Sequence, residues 1–216
     1  MHLNGDPIHH AVIRIPSTGV WWADVYTSGD KDVAAGDACV LDLDTLIMNG
    51  TAATAASVSD QPRMRIVGGG DGLSKDVPPR FLMGVTVEFA LRELLGLVGE
   101  SLSTDSDPVA LARVLRRWTR MQGKAIEDLN EIVRHVEKSW RVLPDGKVWL
   151  GEESFDEYEE VNEHVLLDEF PEEQRRIYGV ETPELLPGVA FKGWDIGTVV
   201  HRLNSDGSGT TEVYGV

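Results

Sequence analysis

The stretch from Glu184 to Leu203, ELLPGVAFKGWDIGTVVHRL, constrains the fold most. Its β-branched and aromatic residues flank a glycine-containing turn, so it reads as two short strands. The second ends in His201 and Arg202, both expected to face outward. The other end of the chain, Arg14 to Val67, has the same texture, and helical spacing appears only between the two. This order predicts an α+β chain and excludes all-helical and doubly wound parallel folds. The expected organisation is a first small β-barrel module over 1–76 and a helical block with a β-hairpin over 77–151. An acidic connector over 152–184 and the strands of a second β-barrel module over 185–216 follow.

Short strands account for the first module. AVIRI (Ala11 to Ile15), VWWADVY (Val20 to Tyr26), CVLDL (Cys39 to Leu43) and RMRIV (Arg63 to Val67) alternate apolar and polar residues. Turns are expected at Pro16 to Gly19, at Gly29 to Asp32, and at Asn49-Gly50, a strong hairpin signal. In the middle, Val85 to Ser101 carries apolar residues at helical spacing. Ser106 or Asp107 can cap a second helix with Pro108 in its first turn, running to Met121. A third spans Lys124 to Ser139. WRVLPDGKVWLG (Trp140 to Gly151) then reads as a hairpin around Pro144-Asp145-Gly146. Thirty-two residues are too few to close a second barrel, so it is expected to borrow these hairpin strands. Glu152 to Glu173 holds 11 acidic residues and no Lys or Arg, as in a solvated connector, with helical turns over Pro171 to Tyr178.

Composition narrows the function. A net charge of −16 opposes nucleic-acid binding through phosphate neutralisation and docking on anionic membranes. Cys39 is the one cysteine, so no intrachain disulfide forms, and its neighbours Val40 and Leu41 place it in a buried strand. The opening residues MHLNGDPIHH lack the basic and apolar segments of a signal peptide. The glycine cluster at Gly68 to Gly72 follows a strand but lacks the Gly-Lys-Ser/Thr of a phosphate loop, so a sharp barrel corner is expected. No histidine pair has metal-ligand spacing and no Gly-x-Ser-x-Gly elbow is present. No catalytic residue, cofactor or metal is therefore assigned. Trp21, Trp22, Trp194 and Val199 are assigned to a subunit interface, because tryptophan at this density belongs in cores and interfaces. The same tryptophans make sugar stacking the alternative.

Four passages, in order, resemble the hub family of phage tails, which includes baseplate hubs, late-control tail proteins and the base of the type VI secretion spike. They are IPSTGVWWADV (Ile15 to Val25), MNGT with RMRIVGGG (Met48 to Gly70), WRVLPDGKVWLGEE (Trp140 to Glu153) and LLPGVAFKGWDIGTVVHRL (Leu185 to Leu203). The resemblance implies two small barrels with an insertion, three chains per ring, and a pseudo-sixfold match to the tail tube. It implies a non-catalytic structural role in the virion tail after assembly in the host cytoplasm. The implied partners are further copies of the chain in a homotrimer, the tail tube protein, the tape measure protein and a tail tip or spike protein. A carbohydrate-binding or cell-wall-degrading tail protein is the alternative.

Overall fold

A computed structural model describes residues 1–27, 33–58, 61–159, 164–180, 183–206 and 208–216. The turn expected at Gly29 to Asp32 lies outside the described residues, as do 160–163 of the acidic run. Six strands close a barrel: β1 (His2–Leu3), β2 (Asp6–Pro16), β3 (Trp22–Thr27), β4 (Ala38–Asp42), β5 (Ile47–Val58) and β6 (Gln61–Gly68). Pairing runs β1-β4-β5-β6-β3-β2, and β1 returns to β2 through His2↔Pro7. Alternation does the sorting. Ala11, Ile13 and Ile15 of β2, Ala23 and Val25 of β3, and Met64 and Ile66 of β6 all point into one core.

Asn49-Gly50 is not a turn. Both residues lie inside β5, where Asn49 pairs with Val40 and Gly50 with Gly68. The reversal falls at Leu43 to Leu46, with Asp44 at φ 70°. Glycine is required at 50 for a different reason: a Cβ there would collide with the Val67 carbonyl and the Trp21 ring.

The middle block is less helical than its spacing predicts. α1 (Val87–Val98) is present, capped by the Thr86 hydroxyl and ended by Gly99 at φ 83°. α2 (Pro108–Leu111) is a single turn capped by Asp107, and it stops far short of Met121. The chain beyond it is drawn into strand pairing. β7 (Asp76–Val77), β8 (Arg80–Leu82) and β9 (Val85–Thr86) pair with β12 (Gly123–Lys124), β11 (Trp118–Arg120) and β10 (Val114–Leu115) respectively. Leu115 thus reaches the core from a strand, while Val109 is solvent-exposed. α3 (Ala125–His135) ends before Ser139 because Glu137 turns left-handed at φ 57°. β13 (Ser139–Val142) and β14 (Val148–Gly151) form the expected hairpin.

Among the described residues that hairpin pairs only within itself apart from isolated bridges to Gly19 and Leu102, so it lends no strand to the C-terminal module there. The strand that is shared is β2, one of whose edges pairs with β19 (Trp194–Asn204). From there the sheet continues through β20 (Gly209–Gly215), β17 (Arg175–Val180) and β16 (Val165–Phe170), with β18 (Val189–Phe191) and β15 (Asp156–Glu157) joined off β19. The expected acidic connector therefore supplies three strands, and Pro171–Glu173 alone is a 3₁₀ turn. Among the described residues the path ends at β16 without closing. The molecule is mostly β, with one closed barrel and a sheet continuous with it.

Candidate assembly surfaces

Trp21 and Trp22 separate by alternation. Trp21 is 0% exposed, its ring lies against Gly50 and Gly68, and its Nε1 donates to the Leu143 carbonyl at 3.2 Å. It ties the barrel to the β13–β14 hairpin and has no surface left for a partner. Val199 is likewise fully buried, in a second core with Tyr178, Leu185, Phe191, Ile196 and Val213. Of the four residues assigned to an interface, Trp22 and Trp194 alone keep exposed surface. They lie apart: Trp22 on the outer barrel wall, and Trp194 at the start of β19 with the Arg176 guanidinium 3.9 Å over its ring.

His201 faces inward, contrary to its expected outward position. It is 0% exposed, with Nε2 3.1 Å from the Leu185 carbonyl and Nδ1 2.8 Å from the Thr211 hydroxyl. A carbonyl can only accept, so Nε2 carries the proton and Thr211 donates to Nδ1. Burial pushes the imidazole down to about 4, against the opposing pull of the Leu185 carbonyl. Its Cβ points inward because Val199, His201 and Leu203 share the core side of β19, while Arg202 points out.

The glycine cluster does cradle an anion, and the anion belongs to the chain itself. The Gly70 N–H lies 3.0 Å from both carboxylate oxygens of Glu100, and the Gly72 N–H donates to Oε1 at 2.7 Å. Gly69, at φ 76°, could not carry a side chain without striking that carboxylate. The corner is a backbone nest occupied from within. The acidic residue after a helix-ending glycine, Gly99-Glu100, is the signal that sequence reading passed over. Cys39 is buried, and burial pushes its thiol up, away from the reactive range. Among the described residues no group of three or more His, Cys, Asp or Glu is placed to hold a metal ion, and no helix is long and apolar enough to cross a membrane.

The outer face of the continuous sheet carries a pattern that no single strand announces. Strand register sets Arg65 beside Asp24, Val12 and Arg202 in one cross-strand row. The next row holds Val67, Trp22, Arg14, Val200 and Glu212. A third runs from Pro16 through Thr198 and Tyr214 to Arg175 and Phe170. Tyr26 and Arg63 pair at the far end. On this face each aromatic ring lies beneath an arginine: Arg65 over Trp22 at 4.3 Å, Arg63 over Tyr26 at 5.6 Å, Arg14 over Tyr214 at 5.8 Å, and Arg175 over Phe170 at 4.1 Å. Asp24 accepts two hydrogen bonds from Arg65, which hold its carboxyl below the usual range. Burial pushes Glu212 up, but hydrogen bonds from Arg202 and Tyr214 more than offset it and leave the carboxyl lowered.

This architecture, a closed barrel with a sheet extending from β2 and a small helical block inserted between, has counterparts among solved structures. A tail protein from Neisseria meningitidis MC58 superposes with a TM-score of 0.64 over 98% of this chain and 93% of its own, at 13% identity. The 43 kDa tail protein of prophage MuSo2 from Shewanella oneidensis gives 0.70 over 99% and 97%, at 9% identity. The fold is that of these phage tail proteins. The same fold extends to the E. coli c3393 protein, a type VI secretion component with structural similarity to the bacteriophage T4 tail proteins gp27 and gp5. It superposes at 0.65 over 98% of this chain and 76% of its own, with 11% identity. No family model matches the chain, and no curated protein matches it by sequence.

Proposed function

We propose that this chain is a structural component of a phage tail that serves as a non-catalytic hub between the tail tube and the tail tip or spike. The observation that carries the reading is the full-length superposition on tail proteins, which spans barrel, insertion and C-terminal sheet together. In this reading the closed barrel and the C-terminal sheet are two β-modules of one chain. Three chains form a ring of six modules that meets a sixfold tube. The tail tube protein, the tape measure protein and a tip or spike protein are its neighbours, and it assembles in the host cytoplasm before residing in the virion. The two β-modules are coupled within the chain: β19 pairs with barrel strand β2 over Thr198 to Asn204. The partly buried pair Arg141–Glu153 also anchors the hairpin under Gly188.

Gold-labelled antibody against the chain, viewed on whole particles, tests the placement. Label is expected at the tip end of the tube. Label along the shaft, or on no part of the particle, refutes it. The non-catalytic part is tested with host cell-wall fragments. Neither turnover nor saturable sugar binding is expected, since Arg176 already occupies one face of Trp194. Sugar binding that disappears in Trp194→Ala overturns that part.

A further inference from the structure

We infer that the arginine–aromatic face of the sheet docks the acidic edge of a second copy of this chain, in a head-to-tail contact. The inference rests on the proposed self-association and specifies which surfaces meet. Six strand registers place Arg14, Arg63, Arg65, Arg175 and Arg202 on one face with Asp24, Glu212 and Asp168. That is a net +2 on one face of a chain whose total is −16, so everything else sums to −18. A face of opposite sign to its own molecule is complementary to most of the remaining surface of a second copy.

The composition points to a protein partner. Arginine, tryptophan and tyrosine are the residues enriched at energetically dominant interface positions. Seven strands from β6 to β16 span about 29 Å at the usual strand spacing, enough width for an interface of ordinary size. Nucleic acid fits the face less well. Arginines already cover the rings that bases would stack on, and Asp24 and Glu212 within the face would repel phosphates.

A twofold contact of this face with itself would oppose five arginines to five arginines, so the contact must be heterologous. Its other half is assigned to Asp156, Glu157 and Glu159. All three are exposed, they lie in the run without Lys or Arg, and among the described residues β15 pairs on one side alone, with β18. The contact is local. At physiological salt, charges beyond about 8 Å are screened, so the overall −16 does not prevent it.

The test uses the full chain in two charge-reversed forms, Arg14→Glu/Arg63→Glu and Asp156→Arg/Glu157→Arg, followed by sedimentation velocity. All the altered side chains are on the surface, and circular dichroism checks that each variant is folded. The unaltered chain is expected to associate, more weakly as salt rises. Each variant alone is expected to lose at least about tenfold in association, as for opposed charges at an interface. An equimolar mixture of the two restores it, because the reversed face of one meets the reversed edge of the other. If the unaltered chain associates and neither reversal weakens it, this inference fails while self-association stands. If association is lost in both variants but the mixture does not regain it, the head-to-tail pairing of these two surfaces is wrong. If the unaltered chain is monomeric at every concentration and salt, both this inference and the proposed self-association fall.

Discussion

Replacing His201 with Gln should remove a defined part of the protein's acid sensitivity. The imidazole is fully buried and neutral in the folded chain, with its value at about 4, while in the unfolded chain it returns to about 6.5. The native state therefore binds this proton less readily than the unfolded state. Its contribution is fully present above pH 6.5 and is lost as pH falls from 6.5 toward 4. Between pH 8 and pH 4.5 the linkage amounts to about 2.5 kcal/mol, from a difference of 1.36 kcal/mol per unit. Lowered carboxylates such as Asp24 and Glu212 add their own acid sensitivity, so the informative quantity is the difference between the two proteins. Gln can donate to the Leu185 carbonyl but cannot titrate. Urea unfolding at a series of pH values should show the parent losing about 2–3 kcal/mol more than His201→Gln between pH 8 and 4.5. Parallel stability-versus-pH curves for the two would refute the assignment of a buried neutral imidazole. Convergence that occurs only above pH 7 would mean that the sign of the shift is wrong.

Three further outcomes follow from the same structure. Trp21→Ala should cost about 4 kcal/mol, since it empties the seam between barrel and hairpin, whereas Trp22→Ala should cost less than about 1 kcal/mol; thermal melts separate them. Glu100→Ala leaves the Gly70 and Gly72 N–H groups without their acceptor and should cost about 3 kcal/mol in denaturant unfolding, with faster amide exchange at the corner. Gly50→Ala forces a methyl against the Val67 carbonyl and the Trp21 ring and should cost about 2–3 kcal/mol, where an ordinary strand glycine gains from the same change.

Local sequence was enough for whatever depends on alternation or on a cap. The strands at Ala11 to Ile15, Val20 to Tyr26 and Arg63 to Val67, the Pro144-Asp145-Gly146 turn and the helix through Leu91, Leu94, Leu95 and Val98 are each specified by neighbours in the chain. The order of these pieces was also enough to resemble a tail hub. What local sequence could not specify is pairing across distance. Whether Asn49-Gly50 turns or stays extended depends on how closely Gly68 and the Trp21 ring approach it. Whether Val114 to Arg120 is helix or strand depends on the partners waiting at Val85 to Arg80. His201 faces in because Leu185 and Thr211 offer it hydrogen bonds there. The acidic run becomes strands because β17, paired on β20, offers an edge to β16, and β18 offers one to β15. The arginine–aromatic face is the fullest case: its members come from β6, β3, β2, β19, β20, β17 and β16, and only their register brings them side by side. Alternation tells each residue which side of its strand it occupies, whereas strand neighbours are chosen by the whole sheet, so surfaces built across strands exist only once the tertiary structure has formed.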